Sequence, residues 1–568
     1  MTPDSIQPKV SRQPFSESYP RKKVDQTGPL VLLILDGWGI GPDYPGNAII
    51  NAPTPNMNRL WMSYPHTQLT ASGEAVGLPA GVPGNSETGH VNMGAGSIVF
   101  QDLPRINASI ADGSFMKNPA FINAINHAKQ NNSTLHLLGL IGSGYVHSSI
   151  DHLFGLLNTC KQHQLDKVLI HGFTDGRDSP PTAGINQVKR IMDKCQELGV
   201  GQLATLCGRF FALDRDKQWD RIEQAYDSLT IGTGTCTQDP IGAMEAQYAS
   251  GVTDEHLAPI IVCGQDNQPK TINDNDAVIF YNFRVDRPRE LCRAFVLPDF
   301  EKGVKDEDYD PFWEKYHKTS LQTHELSLTF QRKKIVHNLY FTTMTTYEAQ
   351  LPVDVAFPKQ KIKENIGQIL SLHGVRQLRI TETEKERMVT YYMNGQQKDA
   401  HPGEDWIIYP STGSESYDQT PAMRAREIAQ GMENELNLDH YDAIIANICN
   451  GDMIGHTGNL SAGLEACRIV DEVVAKIVVQ VLAKNGTVLI TADHGNVEEM
   501  INLATGEIDT EHSSFPVPFI VINKQYQGQP RMLPTGILAD IVPTILHLMK
   551  LPKPDGISGR NLFLLRDI

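Results

Sequence analysis

A chain of 568 residues exceeds what one ordinary hydrophobic core holds, so two or more domains are required. Apolar content of 40% with 20% charged residues describes a globular protein and excludes a disordered one. A formal charge of −16 argues against nonspecific binding to nucleic acid or an anionic membrane surface, and no apolar run reaches the roughly 18 residues a membrane span takes.

The first 27 residues are polar and Pro-bearing and lack the apolar core of a secretory signal, so they read as a flexible tail. Short β-rich apolar runs then recur at Leu30–Leu35, Leu135–Ile141, Lys167–Ile170, Ala277–Tyr281, Ala443–Ile448, Thr487–Ile490 and Pro518–Ile522. Each is followed by Gly, Asp or His and then a helical pattern, which predicts parallel α/β sheets. Leu464, Val470, Val473, Val474, Ile477, Val478, Val481 and Leu482 follow helical spacing; Asn459 or Ser461 caps this helix and Gly486 ends it. The stretch from Asp299 to Lys334 is dense in charge and poor in periodicity, the pattern of a surface excursion. Cys160, Cys195, Cys207, Cys236, Cys263, Cys292, Cys449 and Cys467 are scattered with no Cys-x-x-Cys, which predicts reduced core residues in the cytoplasm. No internal repeat or low-complexity segment occurs.

Three segments carry the residue types of a two-metal phosphoryl-transfer site: Gly84 to His90 (GNSETGH), Asn450 to Gly458 (NGDMIGHTG) and Thr491 to Asn496 (TADHGN). Asp36, Asp452 and Asp493 come just after apolar runs, and ligands of open α/β sheets bind beyond the carboxyl ends of strands. Carboxylates with imidazoles suit Mn, Zn, Mg or Co, and a serine beside such ions can become an oxygen nucleophile. An isolated Ser86 would more often be a helix N-cap, and an isolated Asp452/His456 pair a solvated helix face. Convergence of several such groups shifts the balance toward chemistry. Because the metal candidates come from both ends of the chain, one domain must be discontinuous (28–101 and 358–568), with a second inserted at 102–357 and the tail at 1–27. The inserted segment supplies Arg177, Arg209, Arg215, Arg284 and Arg287. A single surface arginine is usually solvated, but five near ends of apolar runs in an acidic protein form a pocket for phosphate and carboxylate. Asp178 is either the ion-pair partner of Arg177 or a general acid/base.

Seven segments in order carry a family resemblance: Val31–Gly41 (VLLILDGWGIG), Pro83–Gly96 (PGNSETGHVNMGAG), His171–Pro181 (HGFTDGRDSPP), Gly208–Asp216 (GRFFALDRD), Phe283–Arg289 (FRVDRPR), and the NGDMIGHTG and TADHGN segments. Together they resemble the cofactor-independent phosphoglycerate mutases of the alkaline phosphatase superfamily, from about Pro29 onward. The resemblance implies a phosphatase-like α/β domain with two metals, usually Mn, one on Asp36, Ser86, Asp493 and His494, the other on Asp452, His456 and His512. His512 rests on the match more than on its spacing. The resemblance further implies a substrate pocket of His147, Arg177, Asp178, Arg209, Arg215, Arg284 and Arg287, with Lys385 supporting the phosphoryl group. The implied reaction interconverts 3- and 2-phosphoglycerate through a phosphoserine without bisphosphoglycerate. The partner is that small molecule alone, with no nucleic acid or membrane, and a monomer suffices. The inserted domain would act as a lid, hinged near Phe100–Leu103 and Val353–Lys361. Two departures stand out: Asn-Gly precedes Asp452 where many bacterial members have Asn-Pro, and the 299–334 excursion is longer. Rival readings are a phosphatase or sulfatase with the same metals, a phosphopentomutase, or a metal-binding partner protein with a dead site.

Overall fold

The structure, a computed structural model, describes residues 7–16, 19–21, 28–304, 327–413 and 416–563. It divides into two compact units: residues up to Gln101 with those from Lys361 onward, and Asp102–Gln360. The second crossing therefore falls after Gln360 rather than after residue 357.

In the first unit the described strands form a nine-stranded sheet. They are β1 (Lys9–Ser11), β2 (Leu30–Leu35), β3 (His66–Thr70), β12 (Gln377–Glu382), β13 (Glu404–Tyr409), β14 (Ala443–Ile448), β15 (Thr487–Thr491), β16 (Val517–Ile522) and β17 (Gly536–Ile537), in the order β1-β13-β12-β14-β2-β15-β16-β3-β17. Every residue of β2 and β14 is buried, as expected for central strands covered on both faces. β12, β14, β2 and β15 run parallel, so their carboxyl ends deliver the loops that follow them to one edge. The sheet is not wholly parallel: β16 runs antiparallel to both β15 and β3. The helix Leu460–Ala483 packs its apolar face on this core, and Asn459 caps it by accepting from the Ala462 N–H.

The expectation of a flexible tail over 1–27 is corrected at Lys9–Ser11. These residues add antiparallel to β13, and the Gln13 N–H donates to Asp405 Oδ1 at 2.8 Å. A polar, alternating segment can complete an open sheet edge without any apolar run to announce it.

The second unit holds β4 (Leu135–Ile141), β5 (Val168–Thr174), β6 (Gln202–Gly208), β7 (Thr235–Thr237), β8 (Ile260–Val262), β9 (Ala277–Phe280), β10 (Tyr340–Thr345) and β11 (Asp354–Phe357), in the order β11-β10-β9-β4-β5-β6-β8-β7. Only β6 and β8 pair antiparallel among them. Both faces are covered. Along β4, Leu135, Leu137 and Ile141 join one apolar core while Leu138 and Leu140 join another, which is the period-2 alternation of a strand between two helical layers.

Two further expectations change here. Cys236 and Cys263 form a disulfide, because the parallel pairing of β7 with β8 sets Cys236 beside Ile261; the other six cysteines are buried thiols. Of the 299–334 excursion, residues 305–326 lie outside the described residues. Its described flanks are exposed in part, as at Asp299, Lys302 and Leu328, but they are anchored: Phe300 and Phe330 are buried with ring centroids 4.9 Å apart, and Arg332 Nε donates to Glu301 Oε1 at 2.6 Å. Among the described residues no helix is long and apolar enough to cross a membrane.

Candidate active site

The first unit gathers its candidates where β2, β14, β15 and β12 end. Asp36 directly follows β2, Asp452 lies in the short helix Asn450–Gly455 after β14, and Asp493 and His494 lie just past β15. Ser86 is the first residue of the helix Ser86–Ala95. It is not the cap: Asn85 caps that helix through the Thr88 N–H at 2.9 Å. The Ser86 hydroxyl is thereby left for the site. Its Oγ lies 3.0 Å from His494 Nε2 and accepts from Lys385 Nζ at 2.6 Å.

Lys385, in a turn after β12, is buried and also donates to Asp36 Oδ1 and Asp452 Oδ2, both at 2.7 Å. Burial alone would push its ammonium down, but Asp36, Asp452 and Asp493 overcome that and hold it well above the ordinary lysine range. Among the three carboxylates the strain appears on Asp36, raised by burial and then by repulsion from Asp493. Burial also opposes ionisation of Asp452 and Asp493, yet Lys385 for the first and His494 for the second hold them below the usual carboxylate range. One ammonium thus faces three buried carboxylates.

The imidazoles show what else the site is built to hold. His456 Nδ1 donates to the Thr510 carbonyl (2.7 Å), and His512 Nδ1 to the Gly84 carbonyl (2.8 Å). A carbonyl can only accept, so Nδ1 carries a hydrogen in each ring, and the neutral tautomer would turn its Nε2 lone pair inward. Those two Nε2 atoms are 3.0 Å apart and 3.3 and 3.1 Å from Asp452 Oδ1. Acceptors converging this closely need a cation, a proton or a metal ion, between them. Asp493 Oδ2, fully buried, has no hydrogen-bond partner among the described residues. Ligand atoms of Asp452, His494 and His512 lie within 4.8 Å of one another, as do those of Asp36, His90 and Asp493. The donor set fits divalent cations. His494 Nε2 is 3.6 Å from Asp36 and 3.8 Å from Asp452, between the two groups. His90 belongs to the frame instead, since its Nδ1 donates to the Ser86 carbonyl (2.8 Å) and its Nε2 accepts from Asn447 Nδ2 (3.1 Å).

The second unit gathers opposite charge. Arg209 follows β6 and is buried; its Nη1 donates to Asp175 and to Asp178 Oδ2 (2.6 Å), and its Nη2 to His147 Nε2 (2.9 Å). Arg215 Nη1 and Arg284 Nε both reach Asp286, at 2.9 and 3.0 Å. Arg287 Nη1 donates to the Leu213 carbonyl at 3.0 Å. Burial, then repulsion from Arg209 and Arg215, pulls Arg287 down to about 10, the mark of cations crowded beyond what nearby carboxylates neutralise. Burial and Arg209 bring His147 to about 4, so it is neutral near pH 7 and can accept from Arg209. Asp178 stays ionised: burial raises it, but the hydrogen bond and charge of Arg209, with the charge of Arg287, more than offset that. Its partner is Arg209; the exposed Arg177 faces Glu255 at 3.7 Å.

Comparison with known proteins now places the chain. It is 41% identical to the 2,3-bisphosphoglycerate-independent phosphoglycerate mutase of Moorella thermoacetica, over 94% of this chain and 98% of that one. The Clostridium botulinum (strain Langeland) enzyme of the same description is 43% identical over 94% and 99%. This chain belongs to that family. Residues 106–349 match the family model described as BPG-independent PGAM N-terminus, which is nearly the whole second unit. A solved structure of Leishmania mexicana phosphoglycerate mutase, at low cobalt concentration, superposes with a TM-score of 0.55 at 26% identity, covering 97% of this chain and 99% of that one. The mutase fold brings Asp36, Ser86, Lys385, Asp452, His456, Asp493, His494 and His512 together in one unit. It brings His147, Asp178, Arg209, Arg215, Arg284 and Arg287 together in the other, with Arg177 at the margin. Sequence reasoning missed His90, Asn447, Asp175 and Asp286. Asp286 sits inside Phe283–Arg289, two residues after Arg284, which it serves together with the distant Arg215, and its place between Arg284 and Arg287 could have flagged it.

Proposed function

We propose that this phosphoglycerate mutase interconverts 3-phosphoglycerate and 2-phosphoglycerate by passing the phosphate through Ser86, with no bisphosphoglycerate. The observation that carries this reading is Ser86 Oγ, 3.0 Å from His494 Nε2 and 2.6 Å from Lys385 Nζ, at the head of a helix. Two divalent ions, Mn first and Mg, Co or Zn as alternatives, would be held by Asp36, Ser86, Asp493 and His494 and by Asp452, His456 and His512. When bound they supply Lewis-acid neutralisation of phosphoryl charge.

The chain's own groups do the rest. Lys385 and the helix N-terminus favour negative charge on the Ser86 oxygen as its bond to phosphorus forms and the glycerate P–O bond breaks. The proton lost by Ser86 is balanced by one taken up on the departing glycerate oxygen. Arg209, Arg215, Arg284, Arg287 and His147, with Arg177, hold the glycerate by its anionic groups. Asp178, ionised, then accepts the proton of the other hydroxyl as that oxygen takes the phosphate back and the Ser86–phosphorus bond breaks; this proton is then returned to the freed Ser86 oxygen, which leaves Asp178 ionised again. The setting we propose is a cytoplasmic monomer.

The test is stripped, Mn-reconstituted protein given 3-phosphoglycerate without bisphosphoglycerate, with 2-phosphoglycerate and free phosphate followed together. Isomer without phosphate release is expected. Phosphate without isomer would make the protein a hydrolase. Run beside it, Ser86→Ala should lose at least roughly 10³-fold in turnover while still binding Mn; turnover near wild type ends the covalent route.

A further inference from the structure

We infer that Glu498 is the positioning residue that holds three ligand-bearing loops of the first unit in register, and so sets how tightly this enzyme binds its cations. The inference rests on the metal reading of that site. Glu498 is fully buried and is not among the grouped ligands. Its Oε2 accepts from the Gly39 N–H (3.0 Å) and the Asn496 N–H (2.9 Å), and its Oε1 from the Ser513 hydroxyl. Each donor belongs to a different stretch. Gly39 is three residues past Asp36, Asn496 two past His494, and Ser513 directly follows His512. One carboxylate therefore ties together the carriers of four candidate ligands, Asp36, Asp493, His494 and His512. Asn496 extends the tie to a fifth, donating from Nδ2 to Asp452 Oδ1 at 3.2 Å.

The loops are shaped around this carboxylate. A Cβ at Gly39 would come within 2.2 Å of Glu498 Oε1, and one at Gly495 within 2.0 Å of the same atom. A side chain at either position would force the loop or the carboxylate to shift and so disturb the contact between them. Burying a charge is costly, and a group that served only to fill space would be apolar. Satisfying three donors that sit beside five ligands gives the carboxylate a reason to be there. Partners of this kind tune metal affinity by orienting the ligands rather than by touching the ion.

Glutamine separates orientation from charge. Its carbonyl oxygen can replace Oε2 for both N–H donors, and its amide can donate to the Ser513 hydroxyl; alanine leaves all three donors unserved. Mn binding to the stripped full chain, measured by calorimetric titration, should weaken about 10–100-fold in Glu498→Ala and stay within about threefold of wild type in Glu498→Gln. Ser513→Ala, which removes one donor, should fall between them. Circular dichroism melts without metal show which variants are folded. A folded Glu498→Ala with the wild-type Kd overturns the inference, as does a glutamine variant as weak as alanine. If Glu498→Ala does not fold, Ser513→Ala decides: a wild-type Kd there also overturns it. Absence of Mn binding by the wild type would instead bring down the metal reading, and this inference with it.

Discussion

The two charged regions of the molecule are built from the same fold logic and carry opposite surpluses. In the first unit one ammonium faces three buried carboxylates and donates to two of them, and imidazole Nε2 atoms point inward. In the second, arginines gather around Asp175, Asp178 and Asp286, and burial together with repulsion from Arg209 and Arg215 pulls Arg287 down to about 10. Both stand at the carboxyl ends of parallel strands, so topology alone does not decide which ligand each accepts. The sign of the unbalanced charge decides it. A buried negative surplus calls for cations, and a half-exposed positive one calls for an anionic small molecule inside a protein whose formal charge is −16.

The strongest way to break this comparison is to remove the one ammonium from the negative side. Lys385→Met keeps length and loses charge, leaving Asp36 and Asp452 without their shared donor. Removing one partner of a buried ion pair costs roughly 3–5 kcal/mol, so stripped protein should lose about that much in urea unfolding. Added Mn should restore more stability to the variant than to wild type. A stripped variant as stable as the parent would mean the carboxylates carry no surplus.

Much of this contrast was legible in the sequence, because the decisive residues fall where a pattern breaks. Leu30–Leu35 and Ala443–Ile448 are strands with those bounds, and Asp36 and Asp452 stand just beyond them. What was not legible acts from inside elements or across them. His90 and Asn447 lie in a helix and a strand, where a polar residue looks like an ordinary buried one. Glu498 is seen to matter only when three distant segments meet. The antiparallel β1 and the Cys236–Cys263 disulfide depend on which strand lands beside which, and composition does not carry that information.

A second test concerns how far the positive surplus of the second unit reaches. Glu290 opens the helix Arg289–Val296, accepts from the Lys217 N–H at 2.9 Å through Oε1, and has a buried Oε2 without a partner among the described residues. Burial first, then Asp214 and Asp216, push it from 4.5 to about 8; Arg293 and the Lys217 N–H offset this only in part. The folded-state value is raised, so the folded chain keeps a proton that the unfolded chain has lost. This contribution to stability is fully present below about 4.5 and is lost as pH rises through about 8, at no more than about 1.4 kcal/mol per pH unit. Unfolding midpoints from pH 5 to 8.5 should fall less steeply in Glu290→Gln than in wild type. Equal slopes would mean Glu290 is ionised and the surplus extends to it.

The smallest expected effect is the sharpest for the comparison. Asp286 is the carboxylate that Arg215 and Arg284 share, and Asp286→Asn keeps an acceptor there while removing the charge. If the arginines are held apart by that charge in the spacing a phosphoglycerate needs, KM should rise about tenfold, or about 1.4 kcal/mol, with little change in kcat. Mn affinity should not move, because no ligand of the first unit is touched. A KM that falls would show Asp286 to be a competitor for the arginines rather than their spacer. A parallel loss of Mn affinity would deny that the two surpluses are independent, which is the premise on which the division of labour between the units rests.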